Sequence, residues 1–86
     1  MIKISAKIVK NHRTVKSINY LNVKEYDSND FYFYVSEICK KLDVSTPLII
    51  NYTKNSYEEF NFVKFKQDDF IDKIDFDYLL IENIDR

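Results

Sequence analysis

Eighty-six residues with no glycine, no tryptophan, one histidine, one cysteine and a net charge of −1 exclude more chemistry than they indicate. Glycine is the residue that takes positive φ or lets backbone approach a ligand closely. Its absence removes phosphate-binding P-loops, dinucleotide-binding turns and EF-hand calcium loops, all of which need it at fixed positions.

A chain of this length with 45% hydrophobic residues predicts one domain, residues 1–86, with a single small core. No run of about 18 apolar residues suggests a membrane span. Met1-Ile2-Lys3-Ile4 alternates, unlike the continuous apolar stretch of a signal peptide. Cys39 has no second cysteine to pair with, so a reducing, cytoplasmic location is expected. Isoleucine, lysine, asparagine, tyrosine and phenylalanine supply 44 of the 86 residues, and all five have A/T-rich codons. The base composition of an AT-rich bacterial genome or mobile element explains that bias without selection for function. Neither the aromatic content nor the lysines therefore count by themselves as a nucleic-acid footprint.

In chain order, Ile2, Ile4, Ala6 and Ile8 alternate with Lys3, Ser5 and Lys7, the period of a half-buried strand. Asn11-His12-Arg13 reads as a turn, with Asn11 the residue best able to take positive φ. A second strand follows at about 14–23 on Val15, Ile18, Tyr20 and Val23. Its broken alternation between Val15 and Ile18 predicts a bulge or two short pieces. Asp27-Ser28-Asn29-Asp30 supplies N-cap candidates for a helix whose apolar face is Phe31, Val35, Ile38 and Leu42. Lys40 and Lys41 complement the dipole at its end, and Ser45-Thr46-Pro47 stops it.

Leu48-Ile49-Ile50 predicts a short buried strand, and Asn51 to Asn55 a polar break. Ser56 with Glu59 matches a capping box for a short helix over 57–61, although Phe60, Phe62 and Phe65 also fit strands. Gln67-Asp68-Asp69 predicts a turn carrying Phe70 and Ile71 inward, and residues 76–83 a final strand. The sum is α+β: a three- to four-stranded, mainly antiparallel sheet with an N-terminal β-hairpin, packed on one main helix. Residues 1–24 carry six bases and no acid, whereas 67–86 carry seven acids against two bases. Both stretches have strand spacing, so the first and last strands are expected side by side, with their charges paired across the sheet.

The order Ile38-Cys39, Leu42-Asp43-Val44, Pro47, Tyr57-Glu58-Glu59-Phe60, Phe65, Asp68-Asp69-Phe70-Ile71, Phe76-Asp77 and Ile81-Glu82 runs through the C-terminal half. With Lys7-Ile8-Val9-Lys10 before a polar turn, it resembles a group of small, uncharacterised cytoplasmic proteins of low-GC Gram-positive bacteria. Leu48-Ile49-Ile50 departs from that pattern, where an aromatic-leucine pair is expected, and so does Lys64 as the lone base just before Phe65. The resemblance implies a compact domain and no activity.

Few residues invite chemistry. Asp75 and Asp77, with Asp72 or Asp68-Asp69, have the oxygen ligands of a hard-cation site, but aspartate serves equally as turn former and cap. His12 sits in a turn without an orienting partner, and Cys39 lies at the edge of an apolar helix face, so no nucleophile–base pair is expected. No enzyme activity, cofactor or metal is expected. Phe31-Tyr32-Phe33-Tyr34 is too aromatic for one helix to bury, which leaves Tyr32 or Phe33 as a contact for a protein partner or a second copy. Edge-strand pairing is a further route to self-association. The expected function is thus a non-catalytic interaction module or self-associating domain. The alternative is nucleic-acid binding through the hairpin bases Lys3, Lys7, Lys10, Arg13, Lys16 and Lys24, with Tyr20 and Tyr26 to stack on bases. A scarcity of arginine and a pI near 5.7 weigh against it.

Overall fold

Alternating side chains set the sheet. In the computed structural model, which describes residues 1–85, Ile2–Lys10 forms β1 and Arg13–Asn22 forms β2. Asn11 and His12 join them with φ of 53° and 65°. Two left-handed residues make the mirror-image turn whose twist matches that of the flanking strands. Ile8 faces Lys16 while Val9 faces Thr14, so Val15 is the extra residue of a bulge, where the sequence alternation breaks.

Phe31–Leu42 forms helix α1, preceded by a 3₁₀ turn over Ser28–Asp30. Asp27 begins that turn, its carboxylate accepting from the Asn29 N–H at 2.9 Å. The helix closes on Asp43 at φ 58°, with Asp43 N–H donating to Lys40 O and Val44 N–H to Cys39 O. This is the paired-bond ending normally built on glycine. Lys16 Nζ donates to the Leu42 carbonyl at 3.0 Å, placing a cation on the negative end of the helix.

Two expectations fail in the middle of the chain. Leu48-Ile49-Ile50 is not a strand: Leu48 N–H donates to Asp69 O, Ile50 O accepts from Lys54 N–H, and both Leu48 and Ile50 are exposed. Among the described residues no strand lies beside it to complete a ladder. Asn51–Phe60 is not a polar break but a second helix, α2, which absorbs the short helix expected at 57–61. Ser56 therefore lies inside the helix and the expected capping box does not form. Asn51, Asn55 and the aromatics are weak helix formers, so tertiary contacts decide. Thr53 and Tyr57, one turn apart, are buried, and the Tyr57 ring lies 5.1 Å from that of Phe31. Asn61, at φ 67°, ends the helix.

Phe62–Phe65 is β3 and Tyr78–Asn83 is β4, giving an antiparallel sheet of order β2-β1-β4-β3. Between them a 3₁₀ turn over Gln67–Asp69 delivers Phe70 inward. Ile71 is 84% exposed instead, because the chain is extended at Phe70 and successive side chains point oppositely. Phe76 precedes the strand rather than opening it, and meets Phe70 edge-on at 5.8 Å.

The first and last strands do lie side by side, but the register sets Ser5 against Glu82 and Lys7 against Leu80. No base of β1 stands directly opposite an acid of β4. Ile2, Ile4, Ala6 and Ile8 of β1, with Leu79, Ile81, Phe65 and Tyr20, meet Val35, Ile38, Cys39, Leu42 and Tyr57 in one core. Both helices thus cover the same face of the sheet. No helix among the described residues is long and apolar enough to cross a membrane. Asp43→Gly, which removes the Cβ penalty at a left-handed position, is expected to stabilise the fold by about 0.5–1 kcal/mol. Chemical denaturation of the two proteins measures the difference.

Candidate functional site: the open face of the sheet

Directly opposed residues of an antiparallel sheet share a face, so the register fixes what the uncovered side presents. It carries Lys3, Ser5, Lys7 and Val9 of β1, Tyr78, Leu80 and Glu82 of β4, Phe62 and Lys64 of β3, and Ser17, Asn19 and Leu21 of β2. Solvated faces of such sheets are ordinarily polar. Here Leu21, Leu80, Phe62 and Tyr78 interrupt the polar rows, with Leu21 59% and Phe62 46% exposed, while Val9 is buried. Lys64 Nζ stands 4.8 Å from the centre of the Tyr78 ring, joining the two edge-side strands by a cation–π contact. The surface thus mixes apolar side chains with three lysines, the Glu82 carboxylate and small polar residues.

The expected contact residues lie elsewhere or are divided. Tyr32 and Phe33 are exposed, at 60% and 53%, on the first turn of α1, in the layer on the other side of the sheet. Ser36 and Glu37 follow them one turn on, so that patch is short. Of the hairpin bases only Lys3 and Lys7 share the open face. Lys10 and Lys16 line a hollow of about 290 Å³ on the helix side with Val44, Asp75 and Phe76, and Arg13 is exposed at the start of β2. Lys24 is exposed in the loop after β2. Tyr20 is buried under α1, with Lys41 Nζ 5.5 Å from its ring centre, and is not a stacking platform.

Three acids of the C-terminal half are engaged in hydrogen bonds within the fold. Asp77 accepts from Asn11 N–H at 2.9 Å, Asp72 from the Ser45 hydroxyl, and Asp69 from Lys66 N–H. No cluster of three potential metal ligands occurs among the described residues. His12 is exposed at the hairpin tip. Cys39 is buried, and burial pushes its thiol up to about 11 against a smaller opposing hydrogen bond with Thr46.

A second concavity, of about 400 Å³, opens at the far end of the sheet between Met1, Glu25, Tyr26, Tyr57, Glu58, Asn83 and Asp85. Tyr26 and Tyr57 of its wall belong to an aromatic seam in which Tyr20, Tyr34, Tyr26, Tyr57 and Phe31 follow one another at 5.1–6.2 Å between ring centres. Tyr26 donates its hydroxyl to Glu58 Oε2 at 2.7 Å, and burial together with that carboxylate holds its phenol well above the usual range. Burial, then Glu58, pushes Tyr57 up to about 12. The seam is structural, tying the loop after β2 to both helices.

Comparison with protein-family models, with curated proteins and with solved structures returned no match. The sheet residues Tyr78, Leu80, Phe62 and Lys64 escaped the reading of motifs. Their signal was present in Tyr78-Leu79-Leu80-Ile81, which is apolar on both faces of a strand.

Because the folded phenols of Tyr26 and Tyr57 ionise above the unfolded value of 10.0, their contribution to stability is complete below pH 10 and is lost as pH rises through the folded values. Denaturation midpoints are expected to fall above pH 10, and the fall is expected to be shallower in Tyr57→Phe. Cys39 is expected to resist alkylation in the native protein and to react at once after unfolding, which mass spectrometry resolves.

Proposed function

We propose that this domain acts by binding rather than catalysis, and that the open face of the sheet receives a protein segment bearing carboxylates beside an apolar ridge. The observation that carries the reading is the set of four apolar side chains, Leu21, Phe62, Tyr78 and Leu80, exposed or half-buried on a face that neither helix covers, with Lys3, Lys7 and Lys64 set among them. Exposed apolar patches of this kind mark contact surfaces, and the lysines select for complementary charge. Support for the absence of catalysis comes from the buried, protonated Cys39 and from His12 at a turn tip. A second reading, single-stranded nucleic acid, rests on the same lysines lying beside the Tyr78 and Phe62 rings.

Capture from a low-salt lysate, with and without nuclease, separates the two. A protein retained after nuclease and weakened more than about tenfold by Phe62→Ala with Leu80→Ala supports the proposal. Loss through Tyr32→Ala and Phe33→Ala instead, with the sheet variants still binding, moves the contact to α1. Nucleic acid released by moderate salt favours the second reading.

A further inference from the structure

One edge of the sheet is the short β3 and the other is the ten-residue β2. Long free edges invite pairing, and proteins blunt them with bulges and inward-pointing charges. Both devices occur on β2, but only near the hairpin tip: the bulge at Val15, and Lys16 turned inward to the Leu42 carbonyl. The other half, Ser17-Ile18-Asn19-Tyr20-Leu21-Asn22, carries no charge, no proline and no bulge. Ile84 N–H donates to Lys3 O, so the odd residues of β1 bond towards β4. Alternation then makes Asn19, opposite Ser5, a position whose N–H and C=O point away from the sheet.

We propose that β2 pairs antiparallel with β2 of a second copy about a two-fold axis at Asn19, joining two sheets into one of eight strands. The register sets Ser17 against Leu21, Ile18 against Tyr20 and Lys16 against Asn22 of the other copy, with no like charges opposed. The helix layer supplies charge complementarity. Tyr34 and Lys41 both reach the Tyr20 ring, so the stripe of α1 that includes Glu37 faces this edge. The axis brings the two α1 helices together antiparallel, with Glu37 of each copy beside Lys41 of the other. Helix spacing permits it, since two helices about 10 Å apart already span four strands at about 4.8 Å and the next helix continues the series. The open faces of the two copies then lie on the same side as one continuous surface. The pairing stands independently of whatever occupies that surface.

Sedimentation equilibrium of the full chain is the test, with circular dichroism to confirm folding. The native protein is expected to have twice the 10.4 kDa mass of one chain. Asn19→Pro removes an outward N–H, which an edge strand tolerates, and is expected to give a folded monomer. Should that variant not fold, Ser17→Glu with Leu21→Glu opposes like charges across the new pair, while within the single chain the new carboxylates stand opposite Lys7 and Lys3. Glu37→Lys is expected to weaken association roughly threefold to tenfold, and adding Lys41→Glu to restore it. A monomeric native protein, or a dimer that survives both β2 variants, overturns the proposal. Failure of the charge exchange to restore association overturns the two-fold placement.

Discussion

The pairing of β1 with β4 is the contact on which the rest of the molecule depends. It is the pairing that brings the two ends of the sequence together, and the Asn11–Asp77 hydrogen bond beside it spans 66 residues. Contacts at such separation carry the loop-closure cost of everything between them. Ile4, Ala6, Ile8, Leu79 and Ile81 repay that cost by burying one continuous apolar surface, and only on that surface can α1 and α2 settle. The same pairing leaves the opposite face unclad. The side that holds the domain together and the side offered to partners are thus two consequences of one ladder.

Much of the frame was legible in residue spacing. Two-residue alternation gave β1, a 4-3-4 apolar interval gave α1, and broken alternation gave the bulge at Val15. These signals are local, and they succeeded because local preference and tertiary need agree there. Residues 48–61 show the opposite case. Leu48-Ile49-Ile50 has strand composition without a neighbour to bond, and Asn51–Phe60 has poor helix composition but two side chains that the core accepts. What decides in both places is the surroundings of the segment. The face chosen as the candidate site depends on sheet order and register, which no single strand announces. Exposure of Tyr32 and Phe33 could be read from the helix alone. The company kept by Lys3, Lys7 and Lys64 could not, because β1 and β3 are joined only through β4.

The basic hairpin shows how strand alternation divides charge. Lys16 stands opposite Ile8, on the same side as Ile18 and Tyr20, and there it caps a carbonyl of α1 instead of extending the cationic row begun by Lys3 and Lys7. A count of lysines along the sequence therefore overstates the cationic surface on any one face. The lysine that disappears from the open face also guards the edge strand at its tip, so one side chain fixes a helix end and limits where β2 can be extended.

Four backbone positions take left-handed conformations, and Asn11, His12, Asp43 and Asn61 hold them. In the genetic code asparagine, aspartate and histidine share a codon pattern and differ from one another only at the first base. A single-base change at any of these turns can therefore exchange one tolerant residue for another. The hairpin and both helix endings sit in a mutational neighbourhood that forgives substitution, so a chain without glycine can drift in sequence while keeping its turns.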